Sequence, residues 1–268
     1  MKLFDAHMHC FPQKLAARAL AGMSKTAGVP YFGDGTIETT TASMDQWGVD
    51  KGLFLHIATK PGQMRNVNNF AASIQSDRIF CFGSVHPYDE EVDQEIDRIA
   101  ELGLHGLKFH FDYQGLMVDD PKMDAIYRRL SAVGLPMTLH AGWDPYSPQL
   151  VHAPVDKIAR IADRYPALTI IAAHLGGMKR YDQVLHLLAG RENVYLDTAM
   201  CAQYCPRDLF LQIVQKHGAQ RVVFGSDCPW DTSDREAQYI SNCGFDEKTQ
   251  RAIFHDNLAK LLKIEEKA

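Results

Sequence analysis

The chain has 268 residues, of which 46% are hydrophobic and 23% are charged, and its formal net charge is −5. It lacks a basic tail, a signal-peptide pattern and any window near the roughly 18 apolar residues of a membrane span. We therefore expect a cytoplasmic protein that binds neither nucleic acid nor membranes. The six cysteines show no CxxC spacing, so reduced thiols are expected rather than disulfides.

Eight short segments rich in apolar and β-branched residues recur along the chain and predict strands. They cover residues 2–8, 51–57, 78–85, 104–110, 135–140, 167–174, 193–198 and 221–226. Amphipathic segments between them predict helices, for example at 89–103, 120–134 and 152–166. A further helix is expected to close the fold at 245–264.

Alternation of strands and helices favours a parallel sheet with crossover helices. Eight such units in one chain favour closure into a (β/α)8 TIM barrel of the α/β class. We therefore predict a single domain over residues 1–268, with an insertion at about 11–45 that lies near the barrel mouth.

The first predicted strand carries two histidines in the stretch "LFDAHMHCF". Strict alternation along a strand would place Asp5, His7 and His9 on one face. Two converging imidazoles suit a divalent metal ion, but a polar edge strand with solvated histidines explains this stretch equally well.

Other predicted strands also end in ionisable residues, and in a β/α barrel the active site lies at the carboxyl ends of the strands. These residues are Lys108, His110, His140, His174 and Asp227, in addition to His7 and His9. So many imidazoles in one cavity would be unfavourable without a partner, and imidazoles with one carboxylate suit Zn²⁺ or a similar ion. By contrast, His186, His217 and His255 fall in helical segments and are interpreted as surface or packing residues, while His56 and His86 are candidates for the mouth.

The motifs "DAHMH", "GLKFH", "LHAG", "AAHLGG", "VYLDT" and "FGSDCPW" occur in the order seen in the amidohydrolase superfamily. The chain most resembles its amidohydrolase-related (amidohydrolase 2) branch, from residue 3 to about 262. That branch contains metal-dependent hydrolases and non-oxidative decarboxylases, so the resemblance implies a metal-dependent enzyme on a TIM barrel.

The resemblance also implies roles for individual residues. His7, His9, His140 and Asp227 match the metal ligands, and Asp227 can also shuttle a proton. His174 matches the residue that orients or polarises the substrate or the attacking water in one-metal members, and that binds the second ion in two-metal members.

The sequence departs from the two-metal pattern, which uses a bridging glutamate or carboxylated lysine on strand three or four. No glutamate ends either strand, and Lys108 is the one lysine candidate. We interpret Lys108 as a cation that holds an anionic substrate group, which favours one divalent ion. Zinc is the expected metal, manganese and iron are alternatives, and a second ion would require carboxylated Lys108.

The sequence thus predicts a hydrolase that cleaves a C–N or C–O bond of a small anionic molecule through a metal-activated water. Asp227 and His174 are the candidate catalytic residues, and Lys108, His110 and Trp143 are candidates for binding the substrate. The runner-up is a decarboxylase. A TatD-like nuclease and a non-enzymatic regulatory barrel fit less well, and a homodimer is the expected assembly.

Overall fold

The computed structural model describes residues 1–264 and confirms the predicted alternation of strands and helices. Within those residues the eight strands are β1 Phe4–Met8, β2 Lys51–Leu55, β3 Ile79–Phe82, β4 Leu107–Phe109, β5 Met137–Leu139, β6 Ile170–Ala172, β7 Val194–Asp197 and β8 Val222–Val223. Each lies inside its predicted segment and is shorter, because the apolar sequence continues past the hydrogen-bonded ladder.

The strands form parallel sheets in chain order, one of β1 to β3 and one of β4 to β8. Single parallel bridges join the two sheets at both seams, Gly83 with Leu107 and Met8 with Cys228. The fold is the predicted α/β TIM barrel, and the carboxyl ends of all eight strands therefore point to one rim.

Helices follow the strands as crossover connections. The α-helices are α1 Gln13–Ala27, α2 Ile37–Trp47, α3 Met64–Ser73, α4 Val92–Glu101, α5 Phe111–Gln114, α6 Met123–Val133, α7 Val155–Arg164, α8 Tyr181–Gln183, α9 Cys201–Tyr204, α10 Arg207–His217, α11 Ser233–Ser241, α12 Glu247–Arg251 and α13 Asn257–Leu261. The predicted closing helix is present as α12 and α13 joined by a π-helical turn, Ala252–Asp256. The predicted insertion holds α1 and most of α2.

Local sequence explains where these helices lie. In α7, apolar residues at helical spacing, including Val155, Ile158 and Ile161, are buried against the sheet. Pro154 precedes that helix, where its missing N–H costs nothing. Gly134 ends α6 with a φ of +73°, a conformation that other residues adopt only with strain.

Two apolar clusters make the core. The larger one packs the helices onto the strands, and the smaller one gathers strand residues such as Phe4, Leu53 and Phe82 with Leu258 from the closing helix. All six cysteines are buried free thiols, as expected. Among the helices of residues 1–264, none combines the length and the apolar character needed to cross a membrane.

Candidate metal centre

Ionisable side chains from β1 and from the segment after β8 meet at the rim. Nε2 of His7 and Nε2 of His9 lie 3.3 Å and 3.1 Å from Oδ1 of Asp227. His174, which follows β6, adds a third donor, and one donor atom each of His7, His174 and Asp227 lie within 4.8 Å of one another. These side chains are buried, so the predicted convergence of distant residues is present.

A hydrogen-bond acceptor that lies outside the group of donor atoms fixes the orientation of each of the imidazoles of His7, His9 and His174. Nδ1 of His9 donates to the carbonyl of Leu55 at 2.8 Å, and Nδ1 of His174 donates to the carbonyl of Ala199 at 3.2 Å. Nδ1 of His7 donates to Oδ2 of Asp197 at 2.8 Å. Because Nδ1 carries the proton in each ring, the inward Nε2 atoms present lone pairs.

This arrangement fits a divalent cation. Lone pairs on His7 and His9 face a carboxylate oxygen of Asp227, which also only accepts, so the contacts are repulsive unless a proton or cation lies among them. Ligands bonded at about 2.0–2.2 Å to one ion are separated by about 3.0–3.5 Å when they are adjacent. The separations of 3.1 Å and 3.3 Å match that range.

The backbone at the centre is strained in a way that aims two of these side chains. His174 has a φ of +56° and Asp227 a φ of +71°, and neither is glycine. Such conformations cost about 1–3 kcal/mol each and persist where the surroundings hold them. The backbone N–H of Asp227 donates to the carbonyl of His7 at 2.8 Å, and that of His174 donates to Oδ1 of Asp197 at 2.8 Å.

Asp197, at the end of β7, was not among the predicted site residues. Its carboxylate is fully buried and holds both the ring of His7 and the backbone of His174. Burial raises its pKa to about 7, and the neighbouring Lys108 opposes that rise. The signal for it in the sequence is the aspartate that ends the apolar stretch "NVYLD".

Lys108 lies inside the centre. Its side chain is fully buried, and Nζ lies 3.2 Å from Nε2 of His7. Burial lowers its pKa to about 8, while the carboxylates of Asp197 and Asp227 oppose that fall.

Burial and neighbouring positive charges keep the imidazoles of His7 and His174 neutral. Burial, followed by the charge of Lys108, lowers the pKa of His7 well below its usual value, and burial lowers that of His174 to about 3. Burial would raise the pKa of Asp227, but the close contact with His9 and the positive charge that His174, His9 and Lys108 can carry outweigh it and leave the pKa lowered. His7 and His174 therefore offer neutral imidazoles and Asp227 an ionised carboxylate, the forms that bind metal.

A second group of donor atoms lies beside the first, at the ends of β4 and β5. Oδ2 of Asp144 is 3.3 Å from Nε2 of His110 and 3.3 Å from Nε2 of His140. The other ring nitrogen of His140, Nδ1, is 3.0 Å from Nε2 of His174. His140 therefore connects the two groups. Tyr113 stacks on His110 with the ring centres 3.7 Å apart.

Trp143 lies in the loop after β5, next to Asp144 in the chain. Its half-buried ring lies 3.5 Å below the ammonium of Lys179. Gly142, with a φ of +90°, packs so closely on the backbone of Met178 that a side chain would not fit. This contact fixes the loop that carries Trp143 and Asp144.

Asp5 does not join the histidines, contrary to the alternation argument. The pairing register of β1 shifts between Asp5 and Met8, which breaks strict alternation. The Asp5 carboxylate instead accepts hydrogen bonds from the backbone of His7 and Ser226 and from the hydroxyl of Ser233. Burial raises its pKa to about 6.

A family model described as amidohydrolase (amidohydrolase 2) matches residues 4–264. No curated protein matches the chain.

Solved structures of similar fold cover nearly the whole chain. An uncharacterised TIM-barrel protein from Bordetella bronchiseptica has a TM-score of 0.76 at 18% identity, with 98% of this chain and 99% of that chain covered. A dihydroxybenzoic acid decarboxylase from a Polaromonas species, with manganese and 2-nitroresorcinol bound, has a TM-score of 0.70 at 17% identity, covering 98% and 97%. A protein from Pseudomonas putida, provisionally named a 2-pyrone-4,6-dicarboxylic acid hydrolase, has a TM-score of 0.70 at 16% identity, covering 99% and 98%. At these identities the likeness shows the shared fold.

Proposed function

We propose, because this chain belongs to the amidohydrolase family, that it is a metal-dependent hydrolase of a C–N or C–O bond in a small anionic molecule. One observation carries the proposal: the buried imidazoles of His7, His9 and His174 converge on the Asp227 carboxylate. Hydrolases and decarboxylases both occur among the proteins of similar fold, so the family supports an enzyme of this general kind.

His7, His9 and Asp227 would hold the ion, with His140 and His174 close enough to complete its shell. Zinc suits this donor set, and manganese and iron are alternatives, manganese being the ion bound in one protein of similar fold. Such an ion supplies a Lewis acid and lowers the pKa of bound water from ~15.7 to about 7.

The chain's own residues supply proton transfer and charge. Asp227 stays ionised at neutral pH and can accept a proton from the attacking water and return it to the leaving group. His174 directs a lone pair inward in this orientation, which favours a role as a metal ligand over polarising the substrate by donating a hydrogen bond, because donation would require a second proton on the ring.

The proposed substrate is a small anion, and the proposal includes neither nucleic acid nor membrane lipid. Lys108 provides a buried positive charge within the centre, and His110 comes directly after β4. Trp143 and Tyr113 add flat apolar surfaces beside these groups. An anionic substrate with a planar body would complement both features.

The test compares the wild type with Asp227→Asn, using Asp231→Asn as a matched control. Asp231 is also a buried aspartate, but it bonds to the backbone of Thr232 and to Arg235 rather than to the histidines. We expect the wild type and the control to bind one zinc ion and to hydrolyse members of a panel of anionic lactones, amides and esters. Asp227→Asn should lose at least about 100-fold in turnover. Mutation of a residue that only supports a metal ligand already lowers metal affinity or activity about 10–100-fold, and Asp227 is proposed as a ligand itself. Equal zinc content and turnover in all three proteins would refute the proposal.

A metal-dependent decarboxylase is the second candidate. The aromatic side chains Trp143 and Tyr113 beside the centre favour it, and one protein of similar fold is a dihydroxybenzoic acid decarboxylase. Release of carbon dioxide from a panel of hydroxybenzoic acids, without hydrolysis of the first panel, would replace the hydrolase proposal by this one.

A further inference from the structure

Lys179 lies where the loops after β5, β6 and β7 meet, and the proposed reaction gives it no role. We infer that its ammonium, held by the rings of Trp143 and Tyr204, is an outer anion-binding subsite that selects substrates with a second negative charge away from the metal centre. The inference rests on the proposed function, because the subsite receives the far end of the anionic substrate proposed above.

Two aromatic rings hold the ammonium of Lys179. Nζ lies 3.5 Å from the centre of the Trp143 ring and 4.9 Å from the centre of the Tyr204 ring, within the range of cation–π attraction. The amide of Gln203 donates to the Tyr204 hydroxyl at 3.0 Å and fixes that ring. The rings order a long side chain before a ligand arrives, so less rotamer entropy is lost on binding.

The ammonium is accessible, and its charge is not neutralised by an ion pair. Lys179 is exposed, while both rings are half-buried. Lys157, for comparison, lies 2.7 Å from a carboxylate oxygen of Asp119. Lys179 has no such carboxylate partner within residues 1–264. Aromatic faces leave the N–H groups of an ammonium able to donate, so they are available to an anionic ligand.

The backbone fixes Lys179 relative to Trp143. The N–H of Trp143 donates to the carbonyl of Met178 at 3.0 Å, and the N–H of Met178 donates to the carbonyl of Ala141 at 2.8 Å. Lys179 has a φ of +54°, which is strained for a residue that is not glycine. Strain of this kind persists where the surroundings hold it, and it is concentrated at functional sites.

Both rings belong to segments whose backbone contacts imidazoles of the metal centre. The carbonyl of Trp143 lies 3.4 Å from Nε2 of His140. The helix that carries Tyr204, α9, begins two residues after Ala199, whose carbonyl accepts from Nδ1 of His174. The subsite therefore lies beside the centre, on its solvent side.

The two lysines and the rings between them define a class of substrate. Lys108 is a buried cation inside the centre, whereas Lys179 is an exposed cation outside it. The faces of Trp143 and Tyr204 complement a planar body. A planar molecule with an anionic group at each end would contact both cations, so the subsite favours dianions over monoanions of the same shape.

The competing explanation is that Lys179 only clamps the three loops together through its contacts with the rings. Its loss would then loosen the loops and weaken the binding of every ligand alike. The two explanations are separated by pairs of ligands that share one shape and differ by one negative charge.

The test measures the binding of isophthalate and of terephthalate, each compared with its own monoamide, by calorimetry with and without added zinc. The proteins are the wild type, Lys179→Gln, which removes the charge, and Lys179→Arg, which keeps it. Arg180→Gln is the matched control, since Arg180 is the exposed cation next in the chain and does not lie over either ring.

We expect the wild type to bind at least one of the dicarboxylates about 10-fold or more tightly than its monoamide, as a hydrogen bond between charged groups provides. Lys179→Gln should reduce this preference to less than about twofold, while its affinity for the monoamide stays within about threefold of the wild type. Lys179→Arg and Arg180→Gln should both keep most of the preference.

Three results decide the matter otherwise. A wild type that does not prefer either dicarboxylate, or an equal preference in Lys179→Gln, would overturn the subsite and leave the proposed function intact. Equal weakening of both members of each pair would establish the clamp instead. A preference that depends on Lys179, in a protein that neither binds zinc nor hydrolyses any member of the first panel, would support the anion subsite and refute the proposed function.

Discussion

Two buried histidines in this barrel, His7 on β1 and His217 at the end of α10, have opposite surroundings. Both are almost fully shielded from solvent. Nδ1 of His217 accepts the backbone N–H of Gly190 at 3.1 Å, and its Nε2 donates to the carbonyl of Val194 at 3.1 Å. Both nitrogens of His217 are therefore used by the backbone, whereas Nε2 of His7 faces Lys108 and Asp227.

This comparison shows which property separates a structural histidine from a candidate ligand. Burial lowers the pKa of both residues, to about 4 for His217 and well below the usual value for His7, so the pKa does not distinguish them. The inward lone pair distinguishes them. Nε2 of His7 points into the centre, beside Lys108, whereas both ring nitrogens of His217 are bonded to the backbone. Each prediction below tests that distinction.

The largest effect is expected from the same substitution at both positions. His7→Gln should lose most of its zinc and at least about 100-fold in turnover, because it removes a ligand. His217→Gln should keep both, since the glutamine amide can accept from Gly190 and donate to Val194. Zinc content by elemental analysis and turnover on the active substrate panel measure the effects, and circular dichroism checks that both variants fold. Equal zinc content in the two variants would show that an inward lone pair does not distinguish a metal ligand from a structural histidine.

The next effect concerns the stability that His217 contributes at different pH values. Its pKa is lowered from 6.5 to about 4 in the fold, because burial and then the positive charge of Arg221 disfavour the charged ring. As the pH falls below 6.5, the unfolded chain takes up the proton first, so unfolding becomes easier. The contribution is fully present above pH 6.5 and falls by about 3 kcal/mol by pH 4.

His217→Gln isolates this contribution. At pH 7 the variant should be about 1 kcal/mol less stable than the wild type, for the imperfect replacement of two buried hydrogen bonds. The difference should shrink and then reverse as the pH falls toward 4. Urea unfolding of both zinc-free proteins at several pH values measures it. A difference that stays constant from pH 7 to pH 4 would contradict the structural role.

A smaller effect is expected at Asp197, the residue that orients His7. Asp197→Asn can place its NH₂ group against Nδ1 of His7 and turn the ring's lone pair away from the centre. We expect zinc affinity to fall 10–100-fold, with the zinc-free protein still folded. Zinc titration with a competing chelator measures the change. Wild-type affinity in Asp197→Asn would mean that His7 needs no orienting partner.

The sequence predicted much of the barrel and most of the centre, for a physical reason. Eight apolar segments with helices between them define a barrel, and the barrel brings strand-end residues such as His7, His174 and Asp227 to one rim. Asp197 and Asp144 were missed as site residues, because the sequence shows their positions near strand ends but not which ring each faces. The register shift in β1, which separates Asp5 from His9, is likewise a tertiary property, since it depends on pairing with β2.

The smallest effect is expected at His186, a solvent-exposed histidine that is compared with the two buried ones. This residue lies exposed on the π-helical turn Val184–Leu188, and the sequence placed it with His217 as a surface or packing residue. His186→Ala should change the free energy of unfolding by less than about 0.5 kcal/mol, as exposed substitutions usually do, and should leave the zinc content at the wild-type value. Urea unfolding and elemental analysis, in parallel with His217→Gln, measure both. Loss of zinc in His186→Ala would mean that an exposed ring takes part in binding, and the inward lone pair would then no longer identify the ligands.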